Sequence, residues 1–202
     1  MEIINVIKSA TFAELNEEQK KQACEVMRDL EIQDSDCSWA QDQTDYLKEQ
    51  LVEYGITDAD VQWSGFGSQG DGASISTENV NIEKFLRHVK SWSKFRALHK
   101  LIADEQLSLT VYRGNHCYSH EYCVSGNLEF SWSADYSNKQ MELGTDLENL
   151  LTEVIRHLSR GLYKSLESEY DYRLTDEALT EMIECNEYQF SVDSTGTVLN
   201  LL

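Results

Sequence analysis

Apolar positions recur along this chain at two different periods, and the alternation between them sets the expected elements. Thr11-Phe12-Ala13-Glu14 has the capping-box form, in which a threonine and a glutamate three residues on satisfy the backbone at a helix start. Asn16 with Gln19 offers a second start, and Leu15, Ala23, Val26, Met27 and Leu30 follow at near-helical spacing, which predicts a helix to about Leu30. Trp39, Tyr46, Leu47, Leu51 and Tyr54 predict another, from Ser38 to Tyr54, closed by Gly55. From Val61 the period falls to two. Val61 to Phe66 and Ala73 to Ser76 read as strands joined by a glycine-rich turn.

Residues 81 to 104 return to helical spacing, either as one long helix or as two broken near Ser91-Trp92-Ser93. Leu107 to Tyr112, His116 to Ser125 and Leu128 to Trp132 alternate as strands, with Asn115 and Gly126-Asn127 as the expected turns. Thr145, just after Gly144, is the expected cap of a helix carrying Leu147, Leu150, Leu151, Val154, Ile155 and Leu158 and running to about Tyr170. Thr175 opens a short helix to about Cys185, and Tyr188 to Val192 with Val198 to Leu202 suggest a closing hairpin. Helices flanking meander strands predict an α+β fold, an antiparallel meander sheet with amphipathic helices packed on one face. With no proline, no repeat and no low-complexity tract, one continuous domain over 1–202 is the expectation.

Charge changes that picture most. Thirty-six acidic and 17 basic side chains give a net charge of −19, unevenly spread. Between residues 81 and 100 lie Lys84, Arg87, Lys90, Lys94, Arg96 and Lys100 against the single acid Glu83, so the other 182 residues carry −24. Such a surface repels nucleic acid and anionic lipid and attracts cationic partners; the plainer reading is that it confers solubility alone. For the basic face the plainer reading is pairing with the chain's own acids. No apolar run is long enough to span a bilayer, and the amino-terminal segment lacks the pattern of a signal peptide. Five scattered cysteines suggest reduced thiols and a cytoplasmic setting rather than a disulfide framework.

Two segments are candidates for chemistry. In Trp63-Ser64-Gly65-Phe66-Gly67-Ser68-Gln69-Gly70-Asp71-Gly72-Ala73-Ser74, glycines allow close backbone approach while Ser68, Gln69 and Asp71 offer polar groups, so this stretch is either a ligand cradle or a turn tied by Asp71 to its own backbone. It lacks the lysine of a phosphate loop and the helix start of a dinucleotide fingerprint. In His116-Cys117-Tyr118-Ser119-His120-Glu121-Tyr122-Cys123, His116 and His120 are two possible zinc ligands, with Cys185 or an acid to complete the set, but no C-x-x-C pair supports this and a buried aromatic strand is the plainer reading. No G-x-S-x-G elbow is present. The candidate binding residues are therefore Trp63, Phe66, Ser68, Gln69, Asp71 and His120; no catalytic residue, metal or cofactor is expected.

Several segments together resemble uncharacterised acidic proteins of tailed bacteriophages and prophages. They are Thr11 to Leu15 with Glu17 to Ala23, the Ser64-to-Ser74 core, Tyr118-Ser119-His120, Tyr163 to Tyr170, and Asn186 to Phe190. Where the resembled proteins carry tryptophan or tyrosine after the glycine-phenylalanine pair, this chain has Gly67, a departure that enlarges or loosens the turn. The resemblance implies a phage source and no established activity. Charge and resemblance together lead to the expectation of a phage counter-defence or host-takeover protein in the bacterial cytoplasm, which inhibits a basic nucleic-acid-handling host protein with carboxylates as phosphate surrogates and does not itself bind nucleic acid or membrane. The alternative is a small-ligand module using loop 63–74 and the His116–His120 strand; a small hydrolase is the third reading.

Overall fold

A computed structural model describes residues 7–33, 38–114 and 118–202. Strand β1 (Lys8–Thr11) leads into a single 3-10 turn over Phe12–Glu14, where the backbone N–H and the hydroxyl of Thr11 both donate to Glu14 Oε2. The second box starts helix α1 (Glu17–Gln33): Asn16 Oδ1 accepts from the N–H groups of Glu18 and Gln19, and Gln19 Oε1 accepts from that of Asn16. Helix α2 (Gln41–Glu53) ends at Gly55, whose φ of +79° only glycine adopts readily. Strands β2 (Asp60–Ser64) and β3 (Gly72–Ser76) form an antiparallel hairpin.

The 81–104 segment is broken. Helix α3 (Ile82–His88) stops at Lys90, which takes φ +56°, and Ser91 N–H then bonds back to Leu86 O at 2.8 Å. After a 3-10 turn, helix α4 (His99–Ala103) follows, with the His99 ring stacked 3.6 Å from Trp92. Strand β4 (Leu107–Arg113) pairs antiparallel with β5 (Val124–Phe130). Among the described residues one strand, β5, takes in the end of the strand expected at 116–125 and most of that expected at 128–132, and Gly126-Asn127 lies inside it rather than at a turn. His116 and Cys117, and the turn residue Asn115, lie outside the described residues, as does Cys37; residues 121–123 form a 3-10 turn.

Helix α5 (Asn138–Arg173) begins seven residues before Thr145 and runs straight through Gly144. Its start is a box of a kind that sequence reading passed over: Ser137 N–H donates to Gln140 Oε1 at 2.9 Å and Ser137 Oγ accepts from Gln140 N–H. Gly144 is a contact glycine, since a Cβ there would lie 2.9 Å from Leu128 Cδ2 and 3.1 Å from the Phe130 ring. Helix α6 (Asp176–Cys185), capped by Thr175, and strands β6 (Gln189–Val192) and β7 (Val198–Leu201) complete the α+β fold.

The chain packs as two compact units, residues 38–167 and residues 1–37 with 168–202; the boundary falls within α5. In the larger unit the hairpins β2-β3 and β4-β5 are two two-stranded antiparallel sheets, linked by an isolated antiparallel bridge between Thr77 and Val111. Its core is built from Leu51, Phe85, Phe95, Leu109, Leu147, Leu151 and Ile155, all fully buried. Helix α5 closes the β5 flank of the β4-β5 sheet with its own side chains. Glu148 Oε1 accepts from Leu128 N–H, Thr152 Oγ1 accepts from Gly126 N–H and Arg156 Nη2 donates to Val124 O, three residues spaced by four meeting three outward backbone groups spaced by two. Gly126 makes that approach possible, because a Cβ there would sit 2.9 Å from Glu148 O.

In the smaller unit the sheet order is β1, β6, β7, and its core holds Phe12, Ala23, Met27, Leu179, Ile183 and Phe190. Helix α1 treats the β7 flank in the same way, with Gln22 Oε1 accepting from Val198 N–H and Gln19 Nε2 donating to Gly196 O. Among the described residues no helix is long and apolar enough to cross a membrane.

Candidate functional site

The glycine-rich turn and residues 118–122 meet in the larger unit. Trp63, on β2, and Phe66, on the turn, stack with ring centroids 5.5 Å apart, and Phe66 stacks in turn on Tyr163 of α5 at 5.6 Å. Trp39 lies against both at 5.9 and 6.3 Å. The Tyr163 hydroxyl donates to Gly65 O at 3.1 Å, and burial pushes its pKa above the ordinary tyrosine value, with the charges of Glu167 and Asp71 adding to the effect.

Asp71 holds the turn from inside. Its Oδ2 accepts from Gly67 N–H at 2.9 Å and from Ser68 N–H at 2.6 Å, and Asp71 N–H donates to Ser68 O. These amides, Gly67 first, keep its carboxyl below the usual aspartate range. The carboxylate is thereby committed to the chain itself. Ser68 and Gln69 are exposed at the tip, and the missing side chain of Gly67 leaves open space, with no atom within 4 Å of a Cβ built there.

Two further glycines are occupied from above. A Cβ on Gly70 would lie 2.9 Å from Cδ1 of Tyr118, and one on Gly72 would lie 3.0 Å from His120 Cα. His120 Nδ1 accepts from Tyr122 N–H at 3.2 Å and stands 3.4 Å from Glu121 Oε2, while its ring stacks on Tyr122 at 5.2 Å. Glu121 is buried and bonded to Arg160 Nε at 3.0 Å; Arg156 lies over the Tyr122 ring at 5.4 Å.

All six sequence-derived binding residues therefore sit on one side of the larger unit, around the turn and the short segment that crosses it. Arg156 and Arg160, and Tyr163 beyond its place on the apolar stripe, are site residues that the sequence does not mark as such; α5 supplies them at spacings of four and three, a shared helix face, but nothing local tells which strand that face meets. The arrangement offers aromatic faces and guanidinium groups suited to contact. It has no serine or cysteine hydrogen-bonded to a histidine among the described residues, and there no cluster of three or more His, Cys, Asp or Glu side chains has the geometry of a metal site.

The acids are distributed unequally between the units. The smaller unit holds 17 acidic and five basic side chains, a net of −12, and the larger holds 19 and 12, a net of −7. In the smaller unit Glu17, Glu25, Glu31 and Asp176 form ion pairs with Lys20, Arg28 and Arg173. Glu18, Asp29, Glu177, Glu181 and Glu184 are exposed with no described Lys or Arg in pairing distance. In the basic 81–100 segment, Arg87 pairs with Glu83 and Lys94 with Asp146, while Lys84, Lys90, Arg96 and Lys100 make no described ion pair.

No curated protein and no solved structure matches the chain. A family model does, over residues 39–176, well over half the sequence and nearly the whole of the larger unit. The chain belongs to the DUF8835 family, a domain of unknown function.

Proposed function

We propose that this protein acts by binding, and that the acid-rich helices of its smaller unit engage a basic, nucleic-acid-handling protein. In the phage setting that the sequence resemblance implies, the partner is a host protein and the effect is inhibition. One observation carries the reading: the carboxylate surplus is concentrated in 72 residues, and of the described acids there Glu18, Asp29, Glu177, Glu181 and Glu184 face outward with no described ion pair. On α6, Glu177, Glu181 and Glu184 recur at helical spacing, about 6 Å and then about 4.5 Å along the axis. A DNA strand presents a phosphate roughly every 3.4 Å. One helix therefore has about two-thirds of the charge density of a strand. Helix α1, bonded to α6 through Arg28 and Asp176 and carrying Glu18, Glu25 and Asp29, supplies a second row. The turn around Asp71 supports a ligand-cradle reading less well, because its carboxylate and the space above Gly70 and Gly72 are taken by the chain's own groups.

The test is affinity capture from bacterial lysate with the full chain and with a variant carrying Glu177→Gln, Glu181→Gln, Glu184→Gln, Glu18→Gln and Asp29→Asn. These positions are exposed, so the fold is retained. DNA- or RNA-binding proteins are expected in the eluate at low salt, to be lost at high salt and with the variant. Capture that is indifferent to both changes removes the proposal.

A further inference from the structure

The connection between β5 and α5 presents a tryptophan that the packing of the chain does not use: Trp132 is 98 % exposed. The turn that carries it is held on both sides. Ser131 N–H donates to Gln106 O and Ala134 N–H to Ser131 O, each at 2.9 Å, and the Tyr136 ring packs on Phe130 at 4.3 Å. Turn corners are taken by residues with local backbone chemistry, which tryptophan lacks. Beside the turn, between β5 and the first turns of α5, lies an unfilled groove of about 520 Å³. Leu128, Phe130 and Met141 form its apolar wall, and Asn138, Glu142 and Thr145 bring polar groups to it.

We propose that Trp132 seats in this groove of a second copy, and the second copy's Trp132 in the first, as a two-fold dimer. The apolar wall covers the ring, and the exposed Glu142 carboxylate accepts the indole N–H, the partner that a buried tryptophan needs. Two observations select a second copy as the occupant. Ring and groove belong to one surface of one chain, spanning residues 128–148, so a two-fold axis satisfies both at once. The surface is also balanced in charge. Lys94 pairs with Asp146 and Gln140 Nε2 donates to Ala97 O, which sets Lys94, Arg96 and Lys139 beside Asp135, Glu142 and Asp146. A chain of net charge −19 repels its own copies, and least where acids and bases cancel. Two rings and the two grooves that receive them bury on the order of 600–1,000 Å². With the exposed Tyr136 and Met141 alongside, this reaches the low end of specific interfaces, so the dimer is weak and reversible. The contact is separate from the acidic helices and does not rest on their role.

The test is sedimentation velocity of the full chain at rising concentration and physiological salt. The wild-type coefficient is expected to climb from monomer toward dimer. Trp132→Ser, at an exposed position, is expected to keep the melting temperature and remain monomeric. Met141→Arg, which places a long charged side chain in the groove, is expected to do the same. An equimolar mixture of the two variants restores one ring-in-groove contact, and is expected to dimerise at several-fold higher concentration than wild type. A wild-type chain that stays monomeric, or a Trp132→Ser chain that dimerises as wild type does, overturns the proposal. A mixture that associates no better than either variant alone overturns the seating of Trp132 in the groove.

Discussion

At the scale of single residues, Asp71 shows how one carboxylate can account for a conspicuous motif. Its two backbone acceptances make the turn, so Asp71→Ala is expected to cost about 2 kcal/mol in urea unfolding at neutral pH. Because the folded-state pKa is depressed, this contribution is full above the unfolded aspartate value. It fades as pH falls through the lower folded value, so wild type and variant should converge in melts at strongly acid pH. Lys90 offers the opposite sign. A lysine at φ +56° is strained where glycine is not, and Lys90→Gly should raise stability by about 1 kcal/mol, read from the denaturation midpoint. The motif's composition announced a tight turn, and Asp71 was legible as its tie. That Gly70 and Gly72 exist to admit Tyr118 and His120 was not, since the contact joins residues about 48 positions apart.

Among elements, legibility followed local chemistry. Helix starts at Asn16 and Thr175, and the box at Thr11 that closes only a 3-10 turn, announced themselves because a cap and its partner lie within four residues. The start of α5 was missed although Ser137 and Gln140 form the same device, because Gly144 looked like a boundary. Gly126 misled in the same way. Both glycines mark places where a helix and a strand touch, and composition alone does not separate a contact glycine from a turn glycine. The contact itself is testable: Thr152→Val removes the acceptor for Gly126 N–H while keeping shape, and is expected to cost about 1–3 kcal/mol in urea unfolding. A loss near zero would mean that water replaces the hydroxyl there.

For the whole molecule, the α+β class was readable from the alternation of periods, whereas the uneven sharing of charge between the two units required the fold. Like charges crowd the smaller unit, so its native state resists its own repulsion. Raising salt from about 10 mM to about 500 mM shortens the reach of that repulsion. Amide hydrogen exchange in α1 and α6 should therefore slow more than in β4 and β5; equal slowing would show that the acids are neutralised within the fold. The helix side chains laid along β5 and β7 bear on a different hazard. Among the described residues β1 and β2 have no strand neighbour on their outer sides, while the opposite flanks are occupied by Glu148, Thr152 and Arg156 and by Gln19 and Gln22. A sheet that can accept another chain on one side only gains one partner strand and then stops, so neither sheet can grow by itself into a continuous stack of strands.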